Sequence, residues 1–392
     1  MLTSIALVFI IGMFLGWFFK RFGLPSLVGM IITGIILGPY VFNILDDSIL
    51  NISADLRQIA LVIILFRAGL SLKIDDLKTI GSSAIFMSFV PALFEIVGVV
   101  ILGTTLFDLS LVEAAVMGAV LAAVSPAVVV PSMLHIIAEG YGQKRRVPQL
   151  ILAGASMDDI FVIVLFSSFL SLALGSSFSP TDFIEIPIAI IMGILIGSLT
   201  GWLAQTFYSN FHMSDTAKVI MLLSVSFLLL GLEELVAGFI PFSGLLAIMA
   251  LGLTINQLYP ELANRLSAKY NKLWTAAQIL LFVLVGSTVD ITYALSASIP
   301  ALLLIAGALI ARMAGVFVSL LPSSLNPKEK LFTMISYTPK ATVQAAIGGV
   351  PLAMGLESGQ LILTVAVLSI LITAPLGSFA IEQTYRKLLN RE

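Results

Sequence analysis

The chain has 392 residues, of which 59% are hydrophobic and only 11% are charged, and its formal net charge is −2 at pH 7. Soluble globular proteins contain about 25% charged residues, and a folded soluble chain of this length could not hide so large an apolar fraction from water. The composition therefore predicts a multi-pass membrane protein, disfavours nucleic-acid binding and, because there is no cysteine, excludes disulfides and thiolate catalysis.

Apolar runs follow one another along the whole chain and predict an all-α fold of membrane-spanning helices. A helix needs about 20 apolar residues to cross the hydrocarbon core of a bilayer. Thirteen runs of suitable length are predicted, at residues 2–19, 26–44, 55–71, 79–107, 111–134, 149–174, 184–206, 217–232, 240–258, 273–289, 297–321, 329–354 and 357–383. The connections are short, so no water-soluble domain is predicted between the spans.

The distribution of basic residues predicts the orientation of the chain. Sixteen of the 20 lysines and arginines fall in alternate connections and at the carboxyl end, namely Lys20, Arg21, Lys73, Lys78, Lys144, Arg145, Arg146, Lys218, Arg265, Lys269, Lys272, Lys328, Lys330, Arg386, Lys387 and Arg391. The intervening connections hold none. Since positively charged connections stay in the cytoplasm, the amino end is predicted outside and the carboxyl end inside, in the cytoplasmic (inner) membrane for a bacterial source.

Two predicted spans contain prolines next to polar residues. The fifth span contains Pro126 and Pro131, and the twelfth contains Pro339. Proline removes a backbone donor and clashes with the preceding turn, so each span is predicted to break near mid-membrane, although a simple kink would also fit a single proline. Interrupted helices at corresponding positions are typical of secondary transporters built from inverted repeats. The pattern predicts six spans, a linking seventh, and six more of opposite topology.

The sixth span carries two adjacent carboxylates, Asp158 and Asp159, followed by a long apolar run. Two carboxylates about 5 Å apart repel by roughly 3 kcal/mol at an effective dielectric constant near 20. At least one is therefore expected to hold a proton near neutral pH until a small cation with oxygen ligands displaces it. Competition between protons and a cation for one site, coupled to alternating access, produces antiport without a catalytic step.

Three further charged residues, Glu95, Arg312 and Lys340, are predicted inside spans. A charge at the centre of a bilayer costs about 2.5–3.5 kcal/mol on insertion scales, so each requires a partner, a cavity or a function. Lys340 lies where a broken helix would expose carbonyl oxygens, and its charge is predicted to compensate the partial negative charge of the helix end. Direct participation in proton coupling is the alternative.

Two other classes of membrane protein fit parts of the pattern. An intramembrane aspartyl protease needs two aspartates on different helices, whereas these two are adjacent on one helix. A sodium-coupled symporter of organic anions shares the broken helices and inverted repeats, but would be expected to use amide-rich sodium sites. The sequence therefore favours a transporter without enzymatic activity or cofactor, whose partners are monovalent cations, protons and the lipid bilayer.

Three motifs together resemble the monovalent cation/proton antiporter superfamily, and within it the NHA-type sodium/proton exchangers. They are residues 125–133, residues 154–160 with both aspartates, and residues 339–348. The resemblance covers essentially the whole chain and implies exchange of Na⁺ or Li⁺ for protons, with K⁺/proton exchange as the alternative. It also implies an NhaA/NapA-like antiporter fold with crossed discontinuous helices, and a homodimer in which a core domain moves like an elevator.

The resemblance also assigns domains and site residues. The dimerisation scaffold corresponds to residues 1–78 and 217–296, the core transport domain to 79–174 and 297–392, and a linker helix to 175–216. Asp159 matches the essential cation-binding carboxylate of the family, and Asp158 matches the first member of the pair, so both would contact the Na⁺ or Li⁺ ion. The two breaks would flank this site with Ser125 and Thr338.

One residue departs from the pattern of the electrogenic bacterial relatives. Those proteins have a lysine on the eleventh span that pairs with the first aspartate, and here Arg312 takes that place. Arginine does not deprotonate in proteins, so a lysine-type proton step is not available there. The NHA-type pattern instead implies a structural ion pair between Arg312 and Glu95, and exchange is predicted to be electroneutral.

Overall fold

The structure, a computed structural model, describes residues 1–71, 82–175, 182–236 and 242–391. These ranges are helical apart from turns, loops and an isolated β-bridge between Tyr141 and Arg391. Helices α1 to α19 lie there at Leu2–Arg21, Ser26–Leu37, Asp47–Asn51, Ser53–Ser71, Ser82–Met87, Val90–Leu106, Leu111–Leu121, Pro126–Ala138, Val147–Leu174, Asp182–Asn210, Asp215–Val236, Gly244–Leu258, Pro260–Ser287, Ile291–Ser296, Ser298–Ser319, Pro327–Ser336, Thr342–Ile347, Val350–Ala353 and Gly359–Leu388. The predicted all-α class is confirmed.

Each predicted apolar run overlaps at least one of these helices. Within the described ranges, eight helical stretches are long and apolar enough to cross a membrane, namely Leu2–Arg21, Ser83–Leu106, Leu111–Ala138, Val147–Leu174, Ile188–Asn210, Asp215–Glu233, Ile299–Ser319 and Gly359–Leu388. Thirteen crossings and the inverted repeat stay predictions. Residues 79–81 and 240–241 of two predicted spans, together with Lys73 and Lys78, lie outside the described residues.

Two helix boundaries differ from the sequence-based prediction for local reasons. Helix α13 begins at Pro260, not near residue 273, because proline suits a first helical turn and residues 261–272 contain many good helix formers. Helix α2 ends at Leu37, well before residue 44. The residue before a proline disfavours the helical conformation, and Gly38 precedes Pro39 in an extended conformation.

The chain forms two compact units. The first consists of Met1–Ala54, Ile74–Ala173 and Ile279–Glu392, and the second of Asp55–Lys73 and Leu174–Gln278. The predicted transport and scaffold domains are defined by relative movement and stay a prediction. All the sequence-predicted site residues belong to the first unit.

Within the first unit, α6 and α15 approach closely because small residues line their contact. A Cβ atom at Gly98 would lie 2.7 Å from a side-chain carbon of α15, and one at Gly315 would lie 2.8 Å from a backbone carbon of α6. Small residues at such contacts let helix backbones come together. Glu95 lies one turn before Gly98, and Arg312 one turn before Gly315, so the close packing brings these two buried side chains together.

Candidate functional site

Two interruptions of helical structure meet in the first unit. The chain is not helical at residues 122–125, between α7 and α8, or at residues 337–341, between α16 and α17. The backbone N–H of Ser125 in the first break donates a hydrogen bond to the carbonyl oxygen of Pro339 in the second, at 2.8 Å. The two discontinuous helices are therefore joined directly at their breaks.

The three prolines predicted to break helices have different positions. Pro126 occupies the first turn of α8, where a missing N–H removes no helical bond, and Pro339 lies within the second break. Pro131 lies inside α8, so the prediction that it also breaks the helix is wrong. Its missing N–H removes one bond, to the carbonyl of residue 127, while the rest of α8 continues on either side.

Gln344 satisfies backbone groups that the breaks release. Its Nε2 donates hydrogen bonds to the carbonyl oxygens of Leu121 at 3.1 Å and Ala123 at 2.8 Å. Its Oε1 accepts the backbone N–H of Ala341 at 2.8 Å. Buried backbone groups need such partners, so this single amide stabilises both breaks from a position on α17.

Arg312 is completely buried and connects α6, α9 and both breaks. Its Nη2 lies 2.6 Å from Asp158 Oδ2, and its Nη1 lies 2.9 Å from Glu95 Oε2. Its Nε donates to the carbonyl oxygen of Tyr337 at 2.7 Å, and Nη1 also donates to the carbonyl oxygen of Ala122. The sequence-based interpretation paired Arg312 with Glu95 alone. The structure adds Asp158 as a second carboxylate partner.

Glu95 accepts a second cation, Lys340, whose Nζ lies 2.6 Å from the same Oε2 atom. Both side chains are buried, and the backbone N–H of Lys340 is bound by the hydroxyl oxygen of Thr373 at 2.9 Å. Sequence reasoning assigned Lys340 to helix-dipole compensation and did not identify this carboxylate partner. Charge-assisted bonds of this kind are stronger than neutral ones, so the second break is held onto α6 by an ion pair.

The two adjacent aspartates have different surroundings, because neighbouring positions on a helix point about 100° apart. Asp158 is fully buried, and its Oδ2 accepts both Arg312 and the backbone N–H of Val124, the latter at 2.8 Å. Asp159 is partly exposed, and its Oδ1 is a buried atom without a hydrogen-bond partner among the described residues. Asp158 is thus tied to protein groups through one oxygen, Oδ2, while its Oδ1 and Asp159 Oδ1 are both without a partner among the described residues and can take a proton or a cation.

Hydroxyl groups at the breaks provide further oxygen atoms. Ser125 Oγ, Thr342 Oγ1 and Asp158 Oδ1 are buried without hydrogen-bond partners in the described part of the chain. The Thr338 hydroxyl donates to the carbonyl of Ile335 at 2.8 Å and keeps its lone pairs. Buried polar atoms without partners are unfavourable, and hard cations take hydroxyl and carboxylate oxygens as ligands. In the described ranges no group of three or more acidic or histidine side chains could hold a metal ion.

Tyr337 is a buried aromatic residue beside these charges. Its ring centroid lies 5.4 Å from the guanidinium carbon of Arg312. Its hydroxyl lies against Gly154, where a Cβ atom would collide with it, one turn before Asp158 on α9. Sequence reasoning did not predict Tyr337, Thr342 or Gln344 as site residues. Polar and aromatic side chains on either side of Pro339, inside a predicted span, are the signal that would have indicated them.

Comparison with known proteins identifies the family and confirms the predicted superfamily. Residues 5–387 match the family described as sodium/hydrogen exchanger, transmembrane. Sodium/hydrogen exchanger 9B2 of Homo sapiens is 33% identical over 386 residues, which cover 94% of this chain and 70% of the relative. Sodium/hydrogen exchanger 9B1 of Mus musculus is 33% identical over 372 residues, which cover 91% of this chain and 65% of the relative.

A solved structure supports the fold at lower sequence identity. The sodium proton antiporter MjNhaP1 from Methanocaldococcus jannaschii at pH 8 is 21% identical, with a TM-score of 0.85, and the match covers 99% of this chain and 98% of that chain. This likeness shows the antiporter fold. The family match and the relatives that are one-third identical show that the chain belongs to the sodium/hydrogen exchanger family of transmembrane transporters.

Proposed function

We propose that the protein exchanges Na⁺ or Li⁺ for protons and that Asp159 binds the two in turn. The observation that carries this proposal is the contrast between the aspartates. Asp158 is ion-paired with Arg312 through Oδ2 at 2.6 Å, although its Oδ1 has no hydrogen-bond partner in the described ranges. Asp159 has no ion pair with any described residue, and its Oδ1 has no hydrogen-bond partner among them. A carboxylate without a fixed partner can take a proton or a hard cation. Ser125, Thr338 and the second oxygen of Asp158 would supply further ligands.

The balance of charges in the cluster favours one-for-one exchange. The cluster holds three carboxylates, from Glu95, Asp158 and Asp159, and two basic groups, from Arg312 and Lys340. Its formal charge is −1 when all are ionised, so one proton or one monovalent cation neutralises it. A neutral loaded site crosses the membrane without the electrical work of roughly 2.3 kcal/mol that each charge requires when it moves through 100 mV. Because Arg312 stays protonated, we propose that exchange is electroneutral.

Alternating access is proposed to follow the elevator plan of a homodimer. Residues 79–174 and 297–392 would move as the core against a scaffold of residues 1–78 and 217–296, with residues 175–216 as linker. All five charged residues of the cluster fall in this proposed core, and their ion pairs join its two segments. The ion pairs can therefore stay intact when the two segments of the core move together. The proposed orientation keeps the amino end outside and the carboxyl end in the cytoplasm.

The test is sodium-driven proton movement in liposomes that contain the purified protein. Asp159→Asn is expected to reduce the signal to that of protein-free liposomes, because an amide neither binds the proton nor supplies a negative charge for the cation. Glu382→Gln makes the same charge change at an exposed position of α19 and should exchange at the parental rate. Parental exchange by Asp159→Asn would refute the proposed site.

Electroneutrality and cation choice are tested on the parent protein. Exchange rates are compared at a membrane potential clamped to zero and to about −100 mV, and equal rates are expected. Charge movement during exchange would contradict one-for-one exchange while leaving the role of Asp159 intact. Parallel measurements with Na⁺, Li⁺ and K⁺ distinguish the proposed exchange from K⁺/proton exchange at the same carboxylates.

A further inference from the structure

A polar cavity of about 440 Å³ lies in the second unit, which contains none of the proposed ion-binding residues. It is lined by the carboxyl ends of α10 and α12, the amino-terminal turns of α11 and α13, and the loop that joins α10 to α11. Helix amino termini carry partial positive charge and favour anions.

The charged groups that line the cavity have an excess of positive charge. Lys218, Arg265 and Asp215 all line it, together with His212. Arg265 Nε lies 3.1 Å from Asp215 Oδ2 and neutralises that carboxylate. Lys218 Nζ lies 3.9 Å from the other oxygen, Oδ1, which is beyond hydrogen-bond distance. With His212 neutral, the four residues carry a formal charge of +1.

Two donors of the cavity form no hydrogen bond within the described ranges. Lys218 is 6% exposed, and its ammonium forms the ion pair with Asp215 at 3.9 Å. Tyr208 is 5% exposed, and its hydroxyl is a buried atom without a partner within those ranges. The Lys218 Nζ lies 5.6 Å from the centroid of the Tyr208 ring, so the two groups are neighbours. A buried phenol hydroxyl without a partner is unfavourable, and a ligand with several acceptor oxygens could accept hydrogen bonds from both groups.

We propose that this cavity binds a phosphate-bearing anion, with Lys218, Tyr208 and Arg265 as its recognition groups. A phosphate group supplies several acceptor oxygens and a negative charge, which match an ammonium, a phenol hydroxyl and a guanidinium. Basic pockets on the cytoplasmic side of membrane helices bind lipid headgroups, and the proposed orientation places the cavity on that side. The phosphate therefore comes from a soluble anion or from the headgroup of an anionic lipid.

The test measures ligand-dependent unfolding of the purified full chain. Inorganic phosphate is titrated in neutral detergent at constant ionic strength, and phosphatidylcholine nanodiscs are compared with and without phosphatidic acid. A ligand that binds the folded state raises the unfolding midpoint with concentration. Lys218→Gln is expected to weaken the response about tenfold, the loss for one charge-assisted hydrogen bond. Tyr208→Phe keeps the ring and should also weaken it.

Lys328→Gln makes the same charge change at an exposed position of the first unit and should keep the parental response. Stabilisation of the parent by inorganic phosphate supports a soluble ligand, and stabilisation by phosphatidic acid alone supports a lipid headgroup. The proposal is overturned if neither probe raises the parental midpoint, or if Tyr208→Phe and Lys218→Gln respond as the parent does. Should Lys218→Gln fail to fold, Tyr208→Phe decides the outcome.

Discussion

Replacing Arg312 by methionine removes the cation that is hydrogen-bonded to Asp158 and leaves a side chain of similar length. Glu95 would keep Lys340 at 2.6 Å, but Asp158 Oδ2 would keep only the backbone N–H of Val124, at 2.8 Å. The orphaned carboxylate would therefore be Asp158, and not Glu95 as the pairing predicted from sequence implies. The variant should fold less stably because an unpaired charge stays in the interior.

The magnitude follows from the burial of the pair. Arg312 and Asp158 are both 0% exposed, and breaking a buried ion pair by removing one partner costs about 3–5 kcal/mol. The unfolding midpoint of Arg312→Met in detergent should therefore fall clearly below the parental midpoint.

Two further variants separate the ion pair from other effects. Asp158→Asn added to Arg312→Met removes the orphaned carboxylate, so the double variant should be more stable than Arg312→Met alone. Arg265→Met breaks an ion pair whose arginine is 47% exposed, and such surface pairs are worth about 0–1 kcal/mol. An unchanged midpoint for Arg312→Met, or purely additive losses in the double variant, would refute the reasoning.

Three other substitutions test the packing and a helix cap, each by the unfolding midpoint. Gln344→Ala should lower the free energy of unfolding by about 3 kcal/mol, because it removes three hydrogen bonds at the breaks that contribute about 1 kcal/mol each. A midpoint equal to that of the parent would show that the breaks do not depend on this amide. Gly154→Ala should cost about 1–3 kcal/mol by overpacking against the Tyr337 hydroxyl, and Tyr337→Phe in the same background should restore stability if that contact is the cause. Asp290 caps α14, where the Thr292 hydroxyl and backbone N–H groups hold the pKa of its carboxyl below the usual value. The ionised carboxylate therefore stabilises the fold above about pH 4, and this stabilisation is lost as the pH falls through the lowered pKa. Asp290→Ala should unfold at a lower midpoint than the parent at pH 7, and this difference should shrink below about pH 4. A difference that does not change with pH would contradict the assignment.

Features that depend on local chemistry were predictable from the sequence. The apolar composition required a multi-pass membrane protein, and the breaks lie where Ser125 precedes Pro126 and where polar residues flank Pro339. Asp158 and Asp159 were conspicuous because acidic pairs are costly within an apolar span. The prediction that Pro131 breaks the helix was wrong, because Pro131 lies inside α8. The local preference of proline does not say whether a helix that begins at an earlier break continues through it.

The sequence by itself determined the class of protein, the places where helices are interrupted, and which charged residues would have to be buried. Only the tertiary structure decided how those charges are shared, because their partners lie far apart in the chain. Glu95 and Arg312 are separated by 217 positions, and Glu95 and Lys340 by 245. The packing of α6 against α15 and the contact between the two breaks place Arg312 on Asp158. That arrangement leaves Asp159, its neighbour in sequence, without an ion pair among the described residues, because adjacent helical side chains point in different directions.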